Sequence, residues 1–85
     1  MNSQGKISVV LKNNNSTLSM NRFEVYDNVC DAPAGIITLK GGESRSIRIA
    51  QDLDGKGSVR IRNLDLGPNE WVEISSINPG DVITA

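Results

Sequence analysis

The chain has 85 residues, a formal net charge of −1, one cysteine and no histidine. A chain of this length accommodates one hydrophobic core, so we expect a single domain over residues 1–85. The absence of histidine excludes Ser-His-Asp and Cys-His catalysis and histidine-containing zinc sites, and one cysteine cannot close an intrachain disulfide. We therefore expect no enzyme activity and no cofactor.

The small net charge also bears on partners and location. A charge of −1 gives no long-range field that attracts nucleic acid or an anionic membrane, so we expect neither as a partner. The first residues lack the apolar run of a signal peptide, which predicts a soluble cytoplasmic protein. A leader removed by processing leaves no trace in the sequence, so secretion stays open.

The first part of the chain has apolar residues at every second position, a pattern typical of strands. It predicts a strand over Lys6–Lys12, then a turn at Asn13–Ser16. Over Thr17–Tyr26 the apolar parity changes, which indicates either a β-bulge near Asn21 and Arg22 or a turn that separates two short strands. The breakers that follow predict a loop over Asp27–Gly35.

The same alternation continues to the end of the chain. It predicts strands at Ile36–Leu39, Ser44–Ala50, Ser58–Asn63, Trp71–Ile77 and Val82–Thr84. The turns between them are predicted at Lys40–Glu43 (of hairpin type), Gln51–Gly57, Gly67-Pro68-Asn69 and Asn78–Asp81 (type II). The pattern indicates an all-β protein, a small antiparallel β-sandwich or flattened barrel of about seven or eight short strands.

The apolar positions of these strands define the expected core. It consists of Val9, Leu11, Leu18, Met20, Phe23, Val25, Ile37, Leu39, Ile47, Ile49, Val59, Ile61, Val72 and Ile74.

Three arginines are the first candidate binding site. If Ser44–Ala50 pairs with Ser58–Asn63 across the intervening loop, Arg48, Arg60 and Arg62 share one outward face. Guanidinium groups bind carboxylate, sulfate and phosphate, so this face could hold an anionic sugar, a phosphate or an acidic partner. The alternative is a solvated sheet face that protects against aggregation. No aromatic residues interleave with these arginines in the sequence, which argues against base stacking and nucleic acid.

Trp71 is the second candidate, because its parity is opposite to that of Val72 and Ile74. An outward indole could cap one end of the sandwich, anchor a protein interface or provide a stacking platform for a sugar. Tyr26 is a further aromatic candidate for sugar binding.

Asp52 and Asp54 are the candidate metal ligands. The segment Asp52–Val59 resembles the first two-thirds of an EF-hand calcium loop, with carboxylates at the first and third ligand positions. Lys56 stands at the fifth ligand position, where an oxygen ligand is required, and Asn63 stands at the twelfth, where a bidentate glutamate is required. We therefore favour a turn over a calcium site.

These observations favour a non-catalytic interaction or assembly module that associates with itself or with another protein. A domain this small gains stability from oligomerisation when it has no disulfide or metal site. The alternative is a lectin-like module that binds a small carbohydrate or anionic ligand.

Overall fold

The predicted all-β sandwich is confirmed. The computed structural model describes residues 5–67 and 69–85, so the predicted turn at 67–69 includes one residue, Pro68, that lies outside the described part. Within those ranges the chain forms seven strands: β1 (Lys6–Lys12), β2 (Met20–Asp27), β3 (Ala32–Lys40), β4 (Ser44–Ala50), β5 (Gly57–Asn63), β6 (Val72–Ile77) and β7 (Val82–Thr84). They make a three-stranded sheet of order β4-β1-β7 and a four-stranded sheet of order β3-β2-β5-β6.

The core lies between the two sheets and is formed by the inward side chains of the alternating strands. Its buried members are Ile7, Val9, Leu11, Phe23, Val25, Leu39, Ile49, Val59, Ile61, Ile77 and Ile83, with Ile37, Ile47 and Ile74 packed against them. Burial at every second position explains why these sequences form strands, because one face of each strand is removed from water.

Three predicted core residues are exposed. Leu18 lies in a bend before β2, and Met20 points away from the core on that strand. Val72 faces an opening between the sheets and keeps 60 % of its surface exposed.

Strand β2 has neither of the irregularities predicted near Asn21 and Arg22. Its alternation is regular and places Asn21, Phe23, Val25 and Asp27 inward. The prediction was wrong because it assumed that every inward side chain is apolar. Asn21 is fully buried, and its Oδ1 accepts a hydrogen bond from the buried Asn13 Nδ2 at 3.1 Å.

Strand β3 begins at Ala32, inside the predicted Asp27–Gly35 loop. Pro33 and Gly35 are tolerated because β3 is the edge strand of its sheet, where one side of the backbone needs no ladder hydrogen bonds. The register shifts between Val25 and Tyr26, which pair with Gly35 and Pro33, so Ala34 is the extra residue of a bulge.

A second bulge changes the parity of β6. Gly57 pairs with Ile77 and Val59 with Ile74, so the β6 segment is one residue longer than its partner. Ser76 takes a left-handed φ of 56° within this bulge. As a result Ile74 and Ile77 both face the core, although their parity in the sequence differs.

Within the described residues the chain passes between the sheets four times, first in the segment between β1 and β2. Lys40–Glu43 makes the predicted turn, with Glu43 N donating to Lys40 O at 2.9 Å, but it connects β3 and β4 in different sheets instead of closing a hairpin. The segment after β4 also crosses between sheets, and the turn after β6 leads to β7. There Gly80 has the positive φ that a type II turn requires at its third position. Strand β7 then pairs parallel to β1, an exception to the predicted antiparallel pairing.

Candidate functional site

The outer face of the four-stranded sheet carries two rows of polar and aromatic side chains across β2, β5 and β6. The strand registers pair Glu24 with Arg62, Tyr26 with Arg60, and Arg60 with Glu73. On β2 and β5 these residues alternate with buried ones, so their side chains project from one side of the sheet. We call this surface the arginine–aromatic face and define it by six residues: Glu24, Tyr26, Arg60, Arg62, Trp71 and Glu73.

Two guanidinium groups lie over aromatic rings on this face. The Cζ of Arg60 is 4.2 Å from the ring centroid of Tyr26 and 5.6 Å from that of Trp71. The Cζ of Arg62 is 4.5 Å from the Trp71 centroid. These distances fall within the roughly 6 Å over which a cation is attracted to the face of a ring. The four side chains therefore form one continuous series of contacts.

The two arginines differ in their acidic partners. Arg62 donates from Nε to Glu24 Oε1 at 2.8 Å, and its Nη2 forms an ion pair with the same oxygen at 2.8 Å. The Arg60 side chain forms no hydrogen bond or ion pair with any residue in the ranges 5–67 and 69–85, and its buried Nε has no acceptor. Since a guanidinium gains most from charge-assisted hydrogen bonds, Arg60 retains donor capacity for an external acceptor.

Polar groups beside Arg60 are held in position by one another. The Tyr26 hydroxyl donates to Asp31 Oδ1 at 2.7 Å, and this hydrogen bond is the main reason that the pKa of Tyr26 is raised. The Asn28 amide donates to Ser58 Oγ and to Glu73 Oε1, both at 3.3 Å. Four of these neighbours were not predicted as site residues from the sequence: Asn28, Asp31, Ser58 and Glu73. The alternation of outward residues on β2 and β5 continues to Asn28 and Ser58, so these two positions could have been predicted from the sequence.

Arg48 does not belong to this face, because the condition for placing it there, pairing of β4 with β5, is not met. Strand β4 pairs with β1, where Arg48 lies opposite Ser8 on the outer face of the three-stranded sheet. Strand β5 packs against β4 across the core. A Cβ added at Gly57 would overlap the Ile49 side chain, which shows how closely the two strands approach. Two strands with similar alternation can be stacked or paired, and alternation alone does not distinguish the two arrangements.

Trp71 and Tyr26 interleave with the arginines in space, contrary to the expectation from the sequence. Tyr26 is on β2 and Trp71 lies just before β6, so the contact with Arg60 on β5 arises only when the three segments align. Trp71 is 37 % exposed and has its predicted outward position. The lack of interleaved aromatic residues in the sequence therefore does not exclude stacking of an external ring or base on this face.

The loop with Asp52 and Asp54 forms a compact turn. Asp52 Oδ1 accepts hydrogen bonds from the backbone N–H of Asp54 at 2.8 Å and of Lys56 at 3.0 Å. The Lys56 ammonium points away from the loop and donates to Asn78 Oδ1 at 2.8 Å. Within the described ranges, no group of three or more cysteine, aspartate or glutamate side chains is arranged to hold a metal ion. The predicted turn is present at this place.

An apolar cleft opens between the sheets on the side formed by β6 and β7. Its volume is about 380 Å³, and its apolar lining includes Phe23, Ile61, Leu66, Val72 and Ile74. Strand β7 has three residues and leaves this end of the four-stranded sheet uncovered. The cleft explains why Val72 is exposed although its side chain is on the inward side of β6.

Comparison of the chain with protein-family models, curated proteins and solved structures found no match. In the part of the chain that the structure describes, no helix is long and apolar enough to cross a membrane.

Proposed function

We propose that this protein is a non-catalytic binding module that recognises an anionic group on the arginine–aromatic face. The observation that carries the proposal is the position of Arg60. Its guanidinium lies over the Tyr26 ring and has no acidic partner among the described residues. Contact with a ring face restrains the guanidinium plane while its N–H edge stays available to a carboxylate or phosphate.

The other arginines support this choice of residue. Arg22, Arg45 and Arg62 each form an ion pair with a carboxylate. Arg48 has no such partner either, but it is exposed and has no aromatic ring beside it within the described residues. Arg60 therefore combines an unused binding capacity with a restrained position, which lowers the entropy lost when a ligand binds.

Guanidinium groups lie over the faces of the two aromatic rings, so these faces offer less surface for stacking on a ligand. Tyr26 carries Arg60 over its face, and Trp71 carries Arg62. A ligand that approaches this surface thus meets the arginine donors together with the partly exposed indole. This geometry favours recognition of charge first, with stacking as a secondary contribution.

The test is an NMR titration of the ¹⁵N-labelled protein with acetate, inorganic phosphate and sulfate. We expect at least one anion to shift the Arg60 Nε–H and Trp71 indole N–H resonances to saturation. Arg60→Gln should abolish the indole shift. Arg48→Gln makes the same change of charge on the opposite face and should leave it intact. Equal loss in both variants would indicate diffuse charge attraction and would contradict the proposal.

A second candidate function is self-association through the side formed by β6 and β7. Both are end strands of their sheets, and Val72 and Val82 are 60 % and 57 % exposed. A second copy could pair with these edges and cover the cleft. Sedimentation over a range of concentrations should then show a dimer that Val72→Lys weakens and Leu53→Lys, a matched change in a fully exposed loop, does not. A monomer at every concentration would exclude this candidate.

A further inference from the structure

The charge around Arg60 restricts the kind of anion that fits. Glu73 is its cross-strand partner, Glu24 binds the neighbouring arginine, and Asp31 binds the hydroxyl of the ring beneath it. Two arginines on this face are thus surrounded by three carboxylates. A dianionic phosphate or a polyanion would be repelled by this excess of negative charge, whereas one carboxylate would be accepted with a smaller penalty.

Hydrogen-bonding groups lie next to Arg60 along the same strand. Ser58 is two residues away on β5, a separation of about 7 Å along the strand and of the order of one sugar ring. Its hydroxyl and the Glu73 carboxylate are both bound by the Asn28 amide at 3.3 Å, which is at the long end of the range for hydrogen bonds. These three groups can exchange their mutual contacts for hydroxyl groups of a ligand.

Building on the function proposed above, we propose that the ligand is an acidic sugar, a polyhydroxylated ring that bears one carboxylate. The carboxylate binds the Arg60 guanidinium edge, and the ring hydroxyls reach Ser58, Asn28 and Glu73. The exposed part of Trp71 lies on the other side of Arg60 and covers the bound carboxylate group. Glu73 accepts hydrogen bonds from hydroxyls, which are donors, so its negative charge becomes useful for a sugar and harmful for a phosphate.

The experiment measures tryptophan fluorescence during titration with four probes. Trp71 is the only tryptophan, so its emission reports on this face alone. The probes are sodium glucuronate, glucose as the same ring without the carboxylate, acetate as the carboxylate without the ring, and inorganic phosphate. We expect glucuronate to give a saturable change and the other three probes to bind at least about 10-fold more weakly, as expected for the loss of one charge-assisted hydrogen bond. Isothermal titration calorimetry measures the same affinities independently of emission.

Substitutions test the binding of the ligand carboxylate and of the ring hydroxyls separately. Arg60→Gln and the charge-conserving Arg60→Lys should both weaken glucuronate binding roughly 10- to 100-fold, and Arg48→Gln should leave it unchanged. Ser58→Ala should weaken glucuronate binding by about 3- to 10-fold while leaving acetate unaffected. Glu73→Gln removes a negative charge beside Arg60, so it should strengthen acetate binding and should strengthen glucuronate binding less, because the sugar loses its carboxylate acceptor. Circular dichroism melts of each variant check that the fold is kept.

The outcomes distinguish this inference from the proposed function. Phosphate or acetate binding as tightly as glucuronate, with loss in Arg60→Gln, overturns the acidic-sugar assignment and supports the anion-binding function. Glucose binding as tightly as glucuronate overturns both, because the charge of the ligand then plays no part. Failure of all four probes to bind by fluorescence and by calorimetry also overturns both.

Discussion

Among the described residues, each outer face of the sandwich carries an arginine without an acidic partner, and the surroundings of these two arginines differ. Arg48 on the three-stranded sheet has serine as its cross-strand neighbour and is exposed to solvent. Arg60 on the four-stranded sheet lies between two rings and is only partly accessible. The two arginines thus differ in their contacts, because the segments next to Arg60 provide aromatic rings and the strand next to Arg48 provides a serine. An arginine becomes a binding group when neighbours restrain its plane without satisfying its donors.

The largest expected effect concerns Asp27, which makes a hydrogen bond from one sheet to the other. Asp27 is 5 % exposed, and its carboxylate accepts hydrogen bonds from Ala50 N across the sandwich and from Val29 N and Cys30 N in the turn. Asp27→Ala leaves these donors without their acceptor, so we expect a loss of roughly 3 kcal/mol or more in the free energy of unfolding. Urea denaturation measures it.

Asp54→Ala is the matched control for this change, because Asp54 is exposed in the turn after β4. Its effect should stay within about 0.5 kcal/mol. Equal effects of the two substitutions would show that the Asp27 hydrogen bonds add little to the free energy of unfolding.

The next largest effect concerns the contact between Arg60 and the Tyr26 ring, which Arg48 lacks. A double-mutant cycle with Tyr26→Leu and Arg60→Gln should give a coupling of about 0.5–1 kcal/mol in the free energy of unfolding, the usual size of a partly exposed cation–π contact. The same cycle with Arg48→Gln in place of Arg60→Gln should give no coupling. A coupling near zero in both cycles would remove the energetic difference between the two faces.

A smaller effect depends on pH and concerns the segment that leads to Trp71. The Arg22 guanidinium and backbone N–H bind Asp65 and lower the pKa of that carboxyl. A lowered folded-state pKa stabilises the fold above the ordinary aspartate pKa of 3.8, and this contribution is lost as the pH falls through the folded-state value. Asp65→Asn should therefore melt below the wild type at pH 6, and the two melting temperatures should converge in acid.

The smallest expected effect concerns the pKa of Tyr26, whose ring lies under the Arg60 guanidinium. Tyr26 is the only tyrosine, and its hydrogen bond to Asp31 raises its pKa above the ordinary value of 10.0. The raised pKa favours the protonated phenol, so this contribution to stability is present below pH 10 and is lost as the pH rises through the folded-state value. Phenolate absorbance should show the raised pKa, and Asp31→Asn should return it toward 10.0. An identical titration in both proteins would contradict the role of Asp31.

Much of the strand content was predictable because it depends on local patterns. β1, β4 and β7 begin and end where the alternation places them, and Gly80 occupies the turn position that its conformational freedom suits. The errors arose where a polar residue is buried or a bulge is present. Asn21 interrupts the apolar parity of β2 although its strand is regular, and the bulge at Ser76 brings Ile77 into the core.

The candidate site was predicted in part. The outward positions of Arg60, Arg62 and Trp71 follow from parity, which is a property of each strand alone. Their contacts with one another, and the placement of Arg48 on the far side of the molecule, depend on which strands are neighbours. The pairing of strands depends on how the two sheets pack, which involves residues distant in the chain. It therefore produces no periodic pattern in the sequence.

The sequence by itself therefore determined an all-β chain, the approximate strands and, where no bulge or buried polar residue intervenes, the side of a strand that faces the core. These properties follow from backbone sterics and from the period of two in side-chain direction. Only the tertiary structure decided that β4 and β5 belong to different sheets, that Tyr26 and Trp71 flank Arg60, and that Glu24 pairs with Arg62. The reason is physical: such contacts join residues distant in the chain, and they form only when burial of the core fixes the order of the strands.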